Sequence, residues 1–468
     1  MNPYLILIIS IFISYSSTQA QVKPRIVVLT DIENEPDDAQ SLVRFLLYSH
    51  QFDVEALIAT TSTHLRDKTA EWRIKEIVEA YGKVHANLLK HEDGYPSESH
   101  LHAVTKVGIP KYGLQGVGKN ADSEGSEWLI KVVDKDDDRP VWVTVWGGAN
   151  VLAQALWKVR QTRTPIELQK FVKKIRVYTI SDQDDTGYWM RKEFPDLFYI
   201  VSPGGNYRNA TWSGIGGEPF YKFASGADTS IVRNSWLREH IIKNHGPLGA
   251  QYPEVEYIME GDTPSFLYLI NNGLNQPERP NYGGWGGRYE YYKPRHLPYK
   301  DNDTIEPEVR ALWTDAVDEV TGNDGKIYID NHATIWRWRE AFQNDFAARM
   351  DWCVKSYKDA NHPPVAKIAG SKEIVVKVGE KVTIDGSPST DPDGNKLNFT
   401  WIHYPEPGDF WDWRGLKLEN ANSSVLALQI PPNVNISRPH TTHIILQVTD
   451  SGSPKLTRYQ RVIVHIMP

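Results

Sequence analysis

Five carboxylates fall within eight residues near the start of the chain, in the stretch DIENEPDD from Asp31 to Asp38. They follow the apolar run Ile26–Leu29 and precede a segment whose apolar residues recur at helical spacing. Asp37 and Asp38 would stand at the N-cap and in the first turn of that helix, where negative charge is favourable in any protein. Capping does not account for the other three carboxylates. Since several hard oxygen ligands on one loop suit calcium, the sequence leaves a calcium site and a solvated acidic turn as alternatives.

The elements that must position this loop alternate between short apolar runs and helical patterns. The runs RIVVLT, VEALIATTS, PVWVTVWG, KIRVYTI and LFYIVS are each typical of a strand, and the first four precede segments with helical spacing. Strands that alternate with helices predict an α/β fold with a mostly parallel sheet. We expect this domain to span residues 21–360 of the chain.

Polar residues follow the ends of four of these predicted strands. They are Asp31 to Asp38, Ser62–His64, Gly147–Asn150 and Ser181–Thr186. In open α/β sheets, ligands bind at the carboxyl ends of the strands. We therefore expect the four segments to converge on one site.

The pattern changes after Pro363–Pro364. Short alternating strands with turn residues between them continue to the last residue, Pro468. This arrangement is typical of a β-sandwich of the immunoglobulin-like kind. We expect residues 361–468 to form this second domain.

The first twenty residues predict export from the cytoplasm. The apolar stretch YLILIISIFISYSS is too short to span a bilayer comfortably, and small residues precede a cleavage site after Ala20. We expect residues 1–20 to be a signal peptide and the mature protein to be secreted or periplasmic, without a membrane anchor. A retained N-terminal anchor is the alternative.

Net charge and cysteine content exclude one class of partner and one kind of cross-link. The net charge of −7 and the lack of a Lys/Arg cluster argue against a nucleic-acid duplex as the partner. The single cysteine, Cys353, excludes an intramolecular disulfide. Neither feature indicates an oligomeric state.

The acidic loop resembles the fingerprint of nucleoside hydrolases, D-x-D-P-G-x-D-D-A. Asp31 matches its first Asp, Glu33 its second, and Asp37-Asp38 its last pair. The resemblance implies that Asp31 and Glu33 are catalytic, with Glu33 as general base. It also implies that Glu33, Asp37 and Asp38 bind calcium. Glu33 departs from the Asp of the family, and Asn34-Glu35 replaces its Pro-Gly.

Two further segments extend this resemblance. WGGANVLAQAL resembles the family's G-P-L-T-N segment, which implies that the Ala149 carbonyl binds calcium and that Asn150 binds substrate. GDTPSFLYL resembles the late H-D-P segment, which implies that Asp262 is the last calcium carboxylate. Gly261 stands where the family has a His that assists departure of the base, so purine nucleosides are poor candidates for the substrate.

Other polar and aromatic residues are candidates for sugar binding. Gln183, Asp184 and Asp185 lie in SDQDDTGYW, and the equivalent region of nucleoside hydrolases contacts sugar hydroxyls. A solvated turn that caps the next helix is the alternative. Trp285 and Arg288 lie in NYGGWGGRYEYY, where glycines could free the ring to stack on a sugar; a packed loop is the alternative.

A narrower resemblance covers nearly the whole mature chain. Thr30–Leu46, Gly261–Leu267 and Gly283–Tyr289 are similar to segments of secreted bacterial nucleoside-hydrolase-like proteins, some described as cellulose-binding, that carry a C-terminal sandwich domain. STDPDGNKLNFTW also resembles the signature of polycystic-kidney-disease-type domains. The resemblance implies a secreted, calcium-dependent glycosidase that cleaves a C–O bond of a glycan or a C–N bond of a nucleoside. A polysaccharide-binding protein without turnover is the alternative.

Overall fold

The computed structural model describes residues 23–294 and 308–468, so the predicted signal peptide at residues 1–20 lies outside the described residues. The strands of the main sheet are β1 (Arg25–Thr30), β2 (Asp53–Ala59), β3 (Thr105–Val107), β4 (Val141–Val145), β5 (Ile175–Ser181), β6 (Phe198–Ser202), β7 (Tyr289–Tyr292) and β8 (Leu312–Asp315). Their order across the sheet is β3-β2-β1-β4-β5-β6-β8-β7. All neighbouring pairs are parallel except β7 with β8, which confirms the predicted α/β class.

Helices follow most of these strands. They are α1 (Pro36–Tyr48), α2 (Glu71–Leu88), α3 (Glu98–Val104), α4 (Glu124–Asp134), α5 (Asn150–Thr162), α6 (Pro165–Lys173), α7 (Thr186–Glu193), α8 (Glu218–Tyr221), α9 (Asn234–Leu237), α10 (Gly246–Gly249), α11 (Pro264–Leu267), α12 (Ala333–Trp336) and α13 (Arg339–Trp352). Within the described ranges, no helix combines the length and the apolar character needed to cross a membrane.

The sheet is buried on both faces, and the apolar run Ile26–Leu29 of β1 contributes to both cores. Ile26 and Val28 point into a core shared with α1, α2 and α13, whereas Val27 and Leu29 point into a second core shared with α4 and α5. Successive strand residues face opposite sides of a sheet, so an unbroken apolar run requires cover on both faces. Helices on both faces satisfy this requirement.

The order of the strands places a switch point beside β1. From β1 the chain moves outward through β2 to β3, and it then returns to form β4 on the other side of β1 before moving outward again. The loops after β1 and β4 therefore leave the sheet toward opposite faces, which opens a crevice at the carboxyl ends of the two strands. The acidic loop follows β1, and the Gly147–Asn150 segment follows β4.

A hairpin and a sandwich complete the chain. The hairpin pairs β9 (Asp318–Thr321) with β10 (Ile327–Asp330). The sandwich strands are β11 (Glu373–Lys377), β12 (Lys381–Asp385), β13 (Asn398–Tyr404), β14 (Lys417–Glu419), β15 (Val425–Gln429), β16 (His440–Thr449) and β17 (Thr457–Met467). They form sheets of four and three strands, β11-β17-β16-β13 and β12-β15-β14, around a core of their own.

The outer face of the four-stranded sheet packs on the first domain. Arg458 on β17 forms a buried ion pair with Asp345 on α13 (2.6 Å). Arg461 donates to the Leu274 carbonyl (3.0 Å), and Tyr459 belongs to the core beneath the main sheet. The predicted boundary at residue 360 thus falls between α13 and β11, but the two domains share packed surfaces across it.

Candidate functional site

The acidic loop leaves the end of β1 and is fixed by hydrogen bonds within its own sequence. The Asn34 N–H donates to the Asp31 carbonyl (3.2 Å), and the Ile32 N–H donates to Thr30 Oγ1 (3.1 Å). The Thr30 hydroxyl in turn donates to the Asp38 carboxylate. These bonds turn the chain directly into α1, so Asp38 lies in the first turn of that helix, as the sequence predicts.

Three carboxylates meet where this loop approaches the segment before α11. Asp37, Asp38 and Asp262 each offer an oxygen, and these atoms all lie within 4.8 Å of one another. The three residues are only 8%, 4% and 1% exposed, and Asp262 Oδ2 is buried without a hydrogen-bond partner among the described residues. A Cβ added to Gly261 would lie 2.8 Å from Asp37 Oδ2, so the cluster leaves no room for a side chain there.

A buried ion pair lies two residues before Asp262 in the chain. Arg44 on α1 pairs with Glu260 (2.7 Å), and both side chains are fully buried. The Glu260 carboxylate also accepts from the Tyr252 hydroxyl (2.7 Å), and its N–H donates to Gln40 Oε1 (3.0 Å). Because Glu260 neutralises Arg44, this cation does not compensate the three clustered carboxylates.

Glu33, which the sequence predicts to be a calcium ligand and the general base, does not lie among the three clustered carboxylates. Its backbone has a φ of +75°, which turns the residue out of the loop. Its carboxylate pairs instead with Arg73 on α2 (3.0 Å), and its side chain is 39% exposed. Arg73 is held in turn by the Gln251 carbonyl (3.1 Å).

Glu35 lies near the cluster. Burial is the largest cause of the raised pKa values of Asp31, Asp37, Asp38 and Asp262, and the negative charge of Glu35 adds to each of them. Glu35 holds the N-cap position of α1, and its side chain makes no capping hydrogen bond there.

Asp31, the second predicted catalytic residue, lies against the segment after β4. A Cβ added to Gly147 would lie 2.5 Å from Asp31 Oδ1, so the glycine permits this approach. Ser62, which follows β2, also lies at the Asp31 carboxyl, where it opposes the rise in pKa that burial causes. The segments after β1, β2 and β4 thus converge, as the sequence predicts.

Ala149 and Asn150 begin α5 beside this point. The Ala149 carbonyl accepts the Ala153 N–H (3.0 Å), and a carbonyl oxygen retains a second lone pair for another partner. Asn150 donates to the Lys111 carbonyl (2.7 Å) and to Thr61 Oγ1 (3.1 Å). Its Oδ1 is buried without a hydrogen-bond partner in the described part of the chain.

Asp184 borders the same crevice from the end of β5. Its Oδ1 accepts from both the N–H (2.9 Å) and the hydroxyl (2.5 Å) of Thr186. Its Oδ2 lies 2.5 Å from the position that a Cβ on Gly148 would take, and it has no hydrogen-bond partner among residues 23–294 and 308–468. Asp184 and Asp31 therefore contact two successive glycines.

The two neighbours of Asp184 have structural partners. Gln183 Nε2 donates to the Trp146 carbonyl (2.6 Å). Asp185 Oδ1 accepts the Leu114 N–H (2.7 Å). These bonds fix the segment after β5 and leave Asp184 as its member with an unused buried oxygen.

Trp285 and Arg288 are core residues, contrary to the prediction that they bind a sugar. Trp285 is fully buried and packs edge-on against Phe342 and Tyr459, with ring centroids 6.4 Å apart in both pairs. Arg288 is also buried and pairs with Asp318 (2.6 Å). The glycines of this segment allow close packing and do not expose the ring.

The crevice is lined instead by aromatic side chains that were not predicted from the sequence. Tyr207 and Tyr221 pack against Trp212, with ring centroids 5.5 and 6.2 Å away. A Cβ added to Gly261 would lie 3.0 Å from Trp212 Cζ3 and 2.8 Å from Asp37 Oδ2, so this ring borders the carboxylates. The aromatic residues of NYRNATWSGIGGEPFY, after β6, were the available signal.

Burial is the main influence on the ionisation of these carboxyl groups. It raises the pKa of Asp31 to about 6 and that of Asp37 to about 8. Burial, followed by repulsion from neighbouring carboxylates, holds the pKa values of Asp38 and Asp262 well above the usual range. Burial also raises the pKa of Asp184 to about 7. Burial and mutual repulsion thus disfavour the charged forms of these carboxyl groups.

Two families match the chain. The family described as cellulose-binding Sde182, nucleoside hydrolase-like domain, matches residues 25–289, more than half of the chain. The chain belongs to the Sde182 nucleoside hydrolase-like family. The family described as cellulose-binding protein Sde0182, C-terminal domain, matches residues 381–466. The Sde182 assignment confirms the resemblance that the three sequence segments indicate.

A solved structure agrees with the Sde182 assignment. A nucleoside hydrolase-related hypothetical protein from Saccharophagus degradans, described as associated with carbohydrate metabolism, is 35% identical with a TM-score of 0.77. The match covers 95% of this chain and 100% of that one. The PKD domain from KIAA 1837 protein is 27% identical over 23% of this chain and 92% of its own, with a TM-score of 0.17. The comparison with curated proteins found no match.

The raised pKa values predict how the stability of this Sde182-family protein depends on pH. An unfolded Asp titrates near pH 4, whereas Asp31 and Asp37 titrate in the folded state near pH 6 and pH 8. Between these limits the folded state binds more protons, so stability without a cation falls as pH rises. Bound calcium would replace the protons.

We expect calcium to raise the melting temperature more at about pH 8 than at about pH 5, measured against a chelator at each pH. The change in melting temperature between chelator and calcium is compared at the two pH values, which removes the contribution of titrating groups that do not respond to calcium. An equal calcium effect at the two pH values would contradict the assignment of these carboxyls to a cation site.

Proposed function

We propose that this chain is a secreted hydrolase that uses a calcium ion to cleave a glycosyl bond, either C–O in a glycan or C–N in a nucleoside. The fold is nucleoside hydrolase-like, and the family descriptions name cellulose binding. The neighbouring solved structure is described as associated with carbohydrate metabolism. A carbohydrate is therefore the favoured substrate class.

The observation that carries the proposal is the meeting of Asp37, Asp38 and Asp262 at the switch point of the sheet. Buried carboxylates this close repel one another, and desolvation adds to the cost. The buried, unpaired Oδ2 of Asp262 marks a position where a partner is needed. A bound cation explains both features.

The donor set fits calcium. Carboxylate and carbonyl oxygens are hard ligands, and calcium accepts six to eight of them at about 2.3–2.6 Å. Oxygens within 4.8 Å of one another can share one such ion. Asp37, Asp38 and Asp262 would hold it, with the Ala149 carbonyl as a further candidate. A calcium ion held there would supply positive charge that orients the hydroxyl groups of a sugar.

The chain's own residues would carry the proton transfers. Hydrolysis of a glycosyl bond passes through an oxocarbenium-like transition state, and a carboxylate that accepts a proton from water promotes it. Glu35 is partly exposed and lies close enough to the cluster for its charge to act on Asp37, so we assign it the role of base. Asp31, which lies buried beside Gly147, would accept a hydrogen bond from a sugar hydroxyl.

A second candidate function is carbohydrate binding without turnover. The family descriptions name binding, and Glu33, the residue that matches the family's base, pairs with Arg73 instead. The requirement for Glu35 as a base distinguishes the two functions. A binder has no use for a base beside the cation, whereas a hydrolase requires one.

A substrate panel tests the proposal. Purified protein is incubated with calcium or with a chelator, and with 4-nitrophenyl glycosides, carboxymethyl cellulose, xylan, arabinan and nucleosides. We expect calcium-dependent release of sugar or base from at least one substrate. Tight binding to a polysaccharide with no release over several days would favour the binding protein and contradict the hydrolase.

A further inference from the structure

Two loops that rise from opposite sides of the site meet above it. His64 lies between β2 and α2, and Tyr207 lies after β6. His64 Nε2 is 3.3 Å from the Tyr207 hydroxyl, and the ring centroids are 6.0 Å apart. Since β1, β4 and β5 lie between β2 and β6, the loops rise from strands four spacings apart, roughly 19 Å. Their contact therefore spans the ends of the strands that carry the site.

The loop that contains His64 is anchored along this path. The Gly148 N–H, after β4, donates to the Thr61 carbonyl (2.9 Å). The Thr63 N–H donates to the Gln183 carbonyl, after β5 (2.6 Å). The loop thus lies across the ends of β4 and β5 and does not project freely into solvent.

One side of the space beneath this contact is closed. Asn150 and Thr61 both donate to the Lys111 carbonyl (2.7 and 2.9 Å). A Cβ on Gly113 would lie 2.0 Å from Asp185 Oδ1, so the segment from Lys111 packs directly against the end of β5. This segment therefore packs over the ends of β4 and β5 on the side of the sheet that carries α5.

Exposed aromatic rings mark the opposite side. Phe220 packs against Tyr221 of the crevice wall (4.9 Å between centroids) and against Tyr257 (5.5 Å). Phe220 and Tyr257 are 44% and 45% exposed. Aromatic faces of this kind suit the apolar face of a sugar ring, so a sugar-compatible surface lies beside Tyr221 of the crevice wall.

We infer that the site is a blind pocket that holds one terminal glycosyl unit beneath the His64–Tyr207 contact, while the rest of the substrate lies outside on Phe220 and Tyr257. The substrate class is then the chain end of a glycan or a small glycoside, not an internal bond of a polymer. This inference rests on the proposed function. His64 and Tyr207 become specificity-determining residues.

The products of hydrolysis test the inference. Wild-type protein with calcium is incubated with cellohexaose, xylohexaose and arabinohexaose that carry a fluorophore at the reducing end, and with the matching polymers. We expect products shortened by one unit at a time and free monosaccharide from the polymers, with no early fall in their viscosity. A mixture of internal fragments would overturn the inference and leave the proposed function standing. No release from any substrate of the panel would overturn both.

A conservative variant tests the contact itself. Tyr207→Phe removes only the hydroxyl that meets His64, so it should raise KM for the best nitrophenyl glycoside about fivefold and change kcat little, the equivalent of one hydrogen bond of about 1 kcal/mol. Tyr291→Phe, at an exposed tyrosine on β7, is the matched control and should leave both constants unchanged. An unchanged KM in Tyr207→Phe would overturn the role of the contact.

Discussion

Glu35→Gln should lower kcat by about a hundredfold or more on the glycoside that the wild-type protein cleaves fastest, with KM largely unchanged. Glutamine keeps the shape of the side chain and removes its basicity. The charge of Glu35 acts on four carboxyl groups of the site, and its side chain makes no capping hydrogen bond, so the substitution should not disturb the fold. Steady-state kinetics with saturating calcium provides the measurement.

Glu33→Gln is the matched control because it makes the same chemical change two residues away. Its carboxylate is partly exposed and pairs with Arg73, an interaction worth at most about 1 kcal/mol. We expect turnover within about twofold of wild type, since the substitution touches no group of the cluster. A hundredfold loss in Glu33→Gln with normal turnover in Glu35→Gln would return the role of base to Glu33.

Asp262→Asn should abolish thermal stabilisation by calcium. In the wild-type protein, free calcium at 100 times Kd should stabilise the fold by about 2.7 kcal/mol. Without calcium the variant should melt no lower than wild type, because the amide keeps the shape of a buried carboxyl whose pKa is raised mainly by desolvation. Loss of a functional ligand would thus accompany equal or greater stability.

Asp67→Asn removes the same charge from an exposed position on the loop after β2 and serves as the control. Its response to calcium should match that of wild type. If Asp262→Asn retained the full response in a thermal melt with calcium or chelator, the cation would lie elsewhere.

The fold was predictable where one strand is long and apolar enough to be recognised alone. The segments that form β1, β2, β4, β5 and β6 are such runs. The strands β3, β7 and β8 are three or four residues long and contain polar side chains. Their pairing depends on partners distant in sequence, for example Tyr289 opposite Asp315, which no local pattern reveals.

The carboxylate cluster was predictable from the sequence, whereas the position of the Glu33 side chain was not. Asp37, Asp38 and Asp262 come together as the resemblance implies. Counting along the motif placed Glu33 on the base, but the backbone at Glu33 takes a positive φ and turns its side chain toward α2. A left-handed residue inside a loop follows from the local fold of that loop, and the sequence motif does not encode it.

The prediction that Trp285 stacks on a sugar was wrong for a different physical reason, which concerns the glycines around it. Glycine can free a neighbouring ring, or it can let two backbones approach. Here a Cβ on Gly286 would lie 2.4 Å from the Pro264 carbonyl, and one on Gly284 would lie 1.9 Å from Asn275 Oδ1. Close packing therefore explains the glycines, and the ring they flank is buried.

Calorimetric titration of the metal-free protein with calcium near neutral pH tests the central claim most directly. The wild-type protein should bind calcium and release protons to the buffer as it does so, since Asp37, Asp38 and Asp262 must give up protons to bind the ion. Asp262→Asn should give no binding heat, whereas Asp67→Asn should titrate as wild type does. A wild-type titration with no heat of binding in buffers of different ionisation enthalpy, together with a melting temperature that a chelator does not change, would contradict the claim that this acidic cluster is a calcium site.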